Sequence, residues 1–431
     1  MSAAFLVCLG VVLLIAALGA PVAYAMIVGA ITYVAMSGRD LALPAEQIIQ
    51  GLYDSFVLLA VPLFIVAANI MNAGTISERL LGFVVAVVGR FRGGLGHVNV
   101  VTSIIFAGMS GSAVADAAGI GKLIINMMRE GNRYPAGYAA AITAASSTIG
   151  PIIPPSIPMV LYALVSDQSI GYLFLGGILP GLLMGLMMMA LNAFTAHRRN
   201  FALETPVPIR ELPRLTVKAV PALLMPVILL YGIYGGITTP TEAAAVAAGY
   251  ALILAGGFYR ALSFRALRNI MLTSANQSAA VGVVIGAALI FNYIVASENI
   301  PARMQDFVGG LSVSPLVFLL LVTVVLRVLG CPPDAPTLTL VIFPLFLPAC
   351  RLLGIDLVHF GVVAIVNCMI GLITPPYGIV LFVINAVTGI PLQEIVREIL
   401  PFILVLMFSL LLMILFPGIV LWLPRLFGYQ G

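Results

Sequence analysis

The chain has 431 residues, 62% hydrophobic and only 8% charged, with a formal net charge of +4. Ordinary soluble domains carry about 25% charged residues, so the composition excludes a soluble enzyme core and describes a polytopic membrane protein. No basic face for nucleic acid exists. Cys8, Cys331, Cys350 and Cys368 are scattered without a CxxC pair, and His97, His197 and His359 lack metal-ligand spacing.

A membrane span needs about 20 apolar residues. Residues 3–18 and 21–37 predict two spans, joined at Gly19-Ala20-Pro21. No Lys or Arg precedes the first, so it reads as a span and not as a signal peptide. A polar stretch with Arg39, Asp40 and Glu46 leads to a third span at 53–72. An amphipathic interfacial arm follows at 78–92. Residues 94–128 are apolar but centre on Gly108-Met109-Ser110-Gly111-Ser112-Ala113-Val114-Ala115-Asp116, with arginines on both flanks. That pattern predicts a re-entrant hairpin entering and leaving on one side. Residues 135–165 predict a broken span, interrupted at Gly150-Pro151-Ile152-Ile153-Pro154-Pro155-Ser156, and 170–196 a full span.

The hydrophilic loop 197–218 holds Arg198, Arg199, Arg210, Arg214 and Lys218, and the positive-inside rule makes it cytoplasmic. Spans follow at 219–236 and 240–258. A second basic arm covers 260–275, then come a span at 276–295, a second hairpin at 313–350 and a second broken span at 356–388. The last span, 395–421, ends at Trp422 and Arg425.

The landmarks repeat. Ser110 and Cys331 are 221 residues apart, as are Pro154 and Pro375; Pro21 and Pro240 differ by 219, Ile76 and Ile300 by 224. Each half, 1–196 and 219–431, then crosses the membrane five times, and an odd number inverts the second half. The expected fold is an all-α polytopic membrane protein of two inverted repeats, each with a re-entrant hairpin and a broken helix. Both termini fall in the periplasm, and most arginines fall on the cytoplasmic side.

Proline breaks are tolerated at hydrocarbon depth only where something polar satisfies the freed backbone. Paired breaks in inverted repeats point to a secondary-transporter binding site. Oxygens of Ser110, Ser112, Gly150, Ile153 and Pro155 in the first half suit a hard cation such as Na⁺, with Gly330, Cys331, Gly371, Thr374 and Tyr377 in the second. Half-helix N-termini suit an anion. The candidate substrate ligands are Ser112, Asp116, Thr148, Ser156, Arg327 and Asp334. Alternatives stand beside these roles. Gly108, Gly111 and Ala113 serve close helix packing; Asp116 and Asp334 act as helix caps; Arg327 pairs with Asp334. Glu242, after Thr239-Pro240-Thr241, reads as a capping residue.

These residues resemble the large membrane subunit (DctM-like) of tripartite ATP-independent periplasmic (TRAP) transporters. The resemblance spans nearly the whole chain. It rests on Phe106-Ala107-Gly108-Met109-Ser110-Gly111-Ser112-Ala113 with Ala115-Asp116, on Gly150 to Ser156, on Thr239-Pro240-Thr241-Glu242-Ala243-Ala244 and on Gly371-Leu372-Ile373-Thr374-Pro375-Pro376-Tyr377-Gly378. It implies Na⁺-coupled uptake of an organic anion, usually a carboxylate such as a C4-dicarboxylate or sugar acid, in the bacterial inner membrane. Its expected partners are a small four-helix (DctQ-like) membrane subunit and a periplasmic (DctP-like) binding protein; its expected motion is that of an elevator. By the motif match one Na⁺ site maps onto Ser110, Ser112, Gly150, Ile153 and Pro155, another onto Gly330, Thr374 and neighbours. The second tip departs from the family's Gly-Met-Phe-Met-Glu-like pattern, reading Gly330-Cys331-Pro332-Pro333-Asp334-Ala335-Pro336 with Arg327 upstream. The length fits the large subunit alone. The competing readings are a stand-alone anion symporter or exchanger and, from another class, an intramembrane enzyme. The enzyme would need clustered catalytic groups, yet no HExxH or GxSxG motif occurs; nor does a GxxxxGK[ST] loop for nucleotide.

Overall fold

Proline and small polar residues set the helix boundaries. Ser2 caps α1 (Ala3–Ala17), its hydroxyl accepting from Phe5 N. Gly19 at φ +88° and Pro21 then turn the chain into α2 (Val22–Met36). The computed structural model describes residues 2–72, 75–201, 203, 207–310, 313–329 and 335–431. Among these it is helical throughout, without a strand.

Most of the polar stretch before the third span forms helix α3 (Leu43–Asp54). After a 3₁₀ turn at Phe56–Leu59 it continues as α4 (Ala60–Met71), the two limbs bent by 72°. The bend lies at Ser55, whose backbone is extended at φ −103°, ψ 91° between the two limbs; Pro62, in the first turn of α4, cannot donate to the carbonyl four residues back. In the second half the same element is one straight 34-residue helix, with Val283 lying 221 residues beyond Pro62. The expected separate arm at 260–275 is therefore mostly the first turns of this helix.

The chain continues as α5 (Thr75–Val88), α6 (Gly94–Ser110), α7 (Ala113–Asp116), a π turn (Ala117–Gly121) and α8 (Lys122–Arg129). Next come α9 (Ala136–Ser147), α10 (Ile157–Ser166) and α11 (Ile170–Arg198). Helix α12 (Leu212–Tyr234) starts earlier than expected, shortening the 197–218 linker. Then follow α13 (Pro240–Leu252), with a π turn at Ile253–Phe258, α14 (Phe264–Ser297), α15 (Ile300–Gly310) and α16 (Pro315–Leu329). The return limb is α17 (Ala335–Thr337), a π turn (Leu338–Ile342) and α18 (Phe343–Leu352). The chain closes with α19 (Leu357–Gly371), α20 (Ile379–Thr388), α21 (Leu392–Leu415) and α22 (Gly418–Leu426). The predicted capping of α13 holds: Thr239 Oγ1 accepts from Glu242 N, and Thr239 N donates to Glu242 Oε2 at 2.7 Å.

Both repeats carry the same irregularities at the same places. The hairpin π turns begin 221 residues apart, and the peptide bonds Pro154–Pro155 and Pro375–Pro376 are both cis. Among the described residues six helices are long and apolar enough to cross a membrane, or seven if the bent pair counts as one span. The broken helices α9/α10 and α19/α20 add crossings made of two short halves.

The helices form two packed groups. One joins α1 to α2, α4 to α13, and α14 to α2, α3 and α4. The other centres on α9, which packs on α6 and α21, and on α11, which packs on α6, α21, α19 and α22. Close approaches hold the second group together, and at Gly137 a Cβ would stand 2.8 Å from the Glu394 carbonyl oxygen. Gly137→Ala is expected to force α9 and α21 apart at a cost of about 1–3 kcal/mol. The readout is a lowered thermal-unfolding midpoint in detergent; an unchanged midpoint would mean that this contact is loose.

Candidate functional site

Helix α6 ends at buried Ser110 because Gly111 takes the left-handed conformation, φ +61°. Ser112 then starts the return limb, its hydroxyl accepting from Ala115 N at 3.3 Å. The tip is thus a two-residue reversal, Gly111-Ser112. It meets the helix break directly: a Cβ on Gly111 would lie 2.6 Å from the Pro155 carbonyl oxygen. On the same element, a Cβ on Gly108 would lie 2.7 Å from Pro226 Cγ of α12, in the other helix group.

Across the break, the N–H groups of Thr148, Ile149 and Gly150 donate to the carbonyls three residues back, tightening the end of α9. The carbonyls of Gly150, Ile153 and Pro155 accept none of the described hydrogen bonds. The break thus leaves three carbonyls without a described hydrogen bond, and the serine-bearing tip meets it at Pro155. Asp116 joins them. It is 2% exposed, it lies beside the Ser110 side chain, and Oδ2 stands 2.4 Å from where a Gly150 Cβ would be. The capping alternative for Asp116 is settled, because Ser112 is the cap and Asp116 lies inside the helix.

Two candidate ligands have hydroxyl hydrogens already committed. Thr148 donates to Ala145 O at 2.6 Å. Ser156 caps α10, accepting from Met159 N, and donates to the Pro151 carbonyl instead of pointing an O–H at a substrate. Each keeps only acceptor capacity.

In the second repeat Thr374 donates to Ile370 O at 2.7 Å and lies 3.4 Å from Arg327 Nη1. Arg327 therefore reaches the second break, on the side of Thr374. Gly371 ends α19 and is buried, whereas Tyr377 is 58% exposed. Gly330, Cys331 and Asp334 lie outside the described residues, and with them the pairing of Arg327 to Asp334. The second break is the more open one: Pro376 and Tyr377 are exposed, whereas Pro154 and Pro155 are buried.

Sequence reading missed the polar residues below the first tip. Asn99, Ser103, Thr143 and Ser146 are all buried and hydrogen-bonded to one another. Their signal was a polar residue recurring about every third or fourth position on both α6 and α9, which places them on facing stripes.

A hairpin tip meeting a broken helix, with the same elements recurring 221 residues on, is the arrangement of a secondary membrane transporter. The sequence profile of the tripartite ATP-independent periplasmic transporter DctM component matches residues 9–419. The sialic acid TRAP transporter large permease protein SiaM of Vibrio cholerae is 40% identical, over 95% of this chain and 96% of that one. The 2,3-diketo-L-gulonate TRAP transporter large permease protein YiaN of Escherichia coli is 36% identical, over 97% and 98%. The chain belongs to the DctM family and is a transporter permease subunit, not an enzyme. The crystal structure of the YdaH transporter of Alcanivorax borkumensis shares the fold, with a TM-score of 0.61 at 16% identity over 86% of this chain and 87% of that one.

Gly111→Ala adds a side chain in a left-handed position and drives it into a backbone oxygen. It is expected to cut uptake at least about tenfold with normal membrane levels, since strain and overpacking each cost about 1–2 kcal/mol. Gly119→Ala, with open space around it, is the control and should transport normally. Equal uptake in both variants would separate the tip from the site.

Proposed function

We propose that the protein is the permease of a binding-protein-dependent symporter that couples Na⁺ entry to uptake of a small organic anion, a carboxylate. The observation that supports this is the close approach of Gly111 to the Pro155 carbonyl, which sets the serine-bearing tip against the helix break; in this reading the oxygens of Ser110, Ser112, Gly150, Ile153 and Pro155 hold the ion. Such donors suit a hard monovalent cation. The buried Asp116 carboxylate supplies a compensating negative charge close by. Two relatives are named for sialic acid and 2,3-diketo-L-gulonate, both acids, which supports a carboxylate as cargo. Arg327, beside Thr374, is the cation best suited to pair with it.

In this reading α1–α4 and α12–α14 form a static scaffold. The hairpins, broken helices, α11 and α21 move against it as an elevator. Gly108, bare against Pro226, gives the moving tip a smooth face there. A small four-helix membrane subunit and a periplasmic binding protein complete the transporter in the bacterial inner membrane, with both termini in the periplasm.

The test is uptake into proteoliposomes holding the permease and the small subunit, with the binding protein and its bound acid outside. Transport is expected to run at least about tenfold faster with an inward Na⁺ gradient than in choline. Equal rates would overturn the coupling. Gly431→Cys should label from the periplasm and Arg210→Cys from the cytoplasm; labelling of both from one side would undo the topology.

A further inference from the structure

Helix α9 reads Ala136-Gly137-Tyr138-Ala139-Ala140-Ala141-Ile142-Thr143-Ala144-Ala145-Ser146-Ser147. An alanine-rich surface packs closely but offers few ridges to fix how far one helix slides along another. One residue of slip is about 1.5 Å, whereas a coordination site must be held to within about 0.5 Å.

A one-way chain of hydrogen bonds crosses from α6 to α9. Ser103 Oγ donates to Ser146 Oγ at 2.9 Å, Ser146 Oγ to Asn99 Oδ1 at 2.9 Å, Asn99 Nδ2 to Thr143 Oγ1 at 2.6 Å, and Thr143 Oγ1 to Ala139 O at 2.8 Å. The four side chains are 0–4% exposed. Each hydroxyl has one hydrogen; Ser146 Oγ also lies 3.2 Å from the Thr143 carbonyl, and in the chain its hydrogen goes to the nearer Asn99 Oδ1. Ser146 lies one turn before Gly150, and Ser103 two turns before Ser110. The second repeat has a counterpart: Asn367, 221 residues after Ser146, donates Nδ2 to Thr323 O of α16 at 2.8 Å.

We propose that the Ser103–Ser146–Asn99–Thr143 chain is the positioning device of the first cation site. It holds the tip oxygens of Ser110 and Ser112 at a set height against the carbonyls of Gly150, Ile153 and Pro155 before an ion arrives. These four are positioning residues, too far down the helices to be ligands themselves. The inference rests on the Na⁺ reading of that junction.

The test uses the purified full-length protein and Na⁺ alone as probe. Thermal unfolding is followed as NaCl replaces KCl at constant ionic strength. The parent should be stabilised by Na⁺. Ser146→Ala, and separately Ser103→Ala in case one variant folds poorly, should raise the half-effective NaCl concentration about fivefold, equivalent to about 1 kcal/mol, with the full Na⁺ shift still reached. Asn192→Ala is the structural control. Its amide joins Tyr138 Oη and Gly93 O at the far end of the same helices, so it should lower the midpoint in KCl and leave the half-effective concentration unchanged. An unshifted Na⁺ dependence in the serine variants, or an equal shift in Asn192→Ala, would overturn the positioning role. A parent insensitive to Na⁺ would overturn the cation reading itself, and this inference with it.

Discussion

A chain that breaks its helices inside a membrane must give the freed backbone groups a partner. The structure depends on this constraint twice. In the first repeat the α9–α10 break is closed from within, by Ser156 donating to Pro151 and by three short-range N–H donations. What remains is a set of unpaired carbonyls, of which that of Pro155 meets the hairpin tip. The tip can come that close because position 111 is glycine, with neither a side chain to clash nor a penalty for its left-handed turn. Hairpin and break are therefore packed as one unit, joined at the Gly111–Pro155 approach.

The repeats match where this unit is built and differ where it is carried. Both hairpins have a π turn at the same offset, both breaks have a cis proline pair, and both first half-helices are tied to a hairpin arm by a buried polar side chain. Outside the unit, α3 and α4 are bent by 72° at extended Ser55 while α14 runs unbroken for 34 residues. A bent support in one half and a rigid 34-residue strut in the other make the surroundings unequal although the motifs are symmetric. The breaks share this inequality, the first enclosed and the second open at Pro376 and Tyr377.

The paired prolines, the glycine-serine tip and their constant spacing were legible in the sequence, because each is a local signal with a direct backbone cause. So was the Thr239–Glu242 cap. Less legible were features decided by distant contacts. The 43–54 segment reads as polar, yet its amphipathic face lies on α14, so it is helix. Ser156 and Thr148 read as free donors, but the carbonyls that take their hydrogens are set by how each helix ends. The Asn99–Ser146 chain was invisible pairwise, since the two residues are 47 positions apart and only the packing of α6 on α9 joins them.

Asp116 shows why burial and chemistry have to be read together. A carboxyl group at 2% exposure is, in its charged form, among the costliest groups a membrane protein can hold. Packing does not require it, because alanines fill the neighbouring positions of the limb. Capping does not require it, because Ser112 already does that work. Its oxygen rests against Gly150, and any larger residue there would displace it. The glycine and the acid are thus fitted to each other at the edge of the junction of free carbonyls. A cation held at that junction would lower the cost of the buried charge, and the buried charge would strengthen the hold on the cation. Under the proposed Na⁺ reading, the energetic penalty of a charged Asp116 in the empty protein would be the source of part of the affinity in the loaded one.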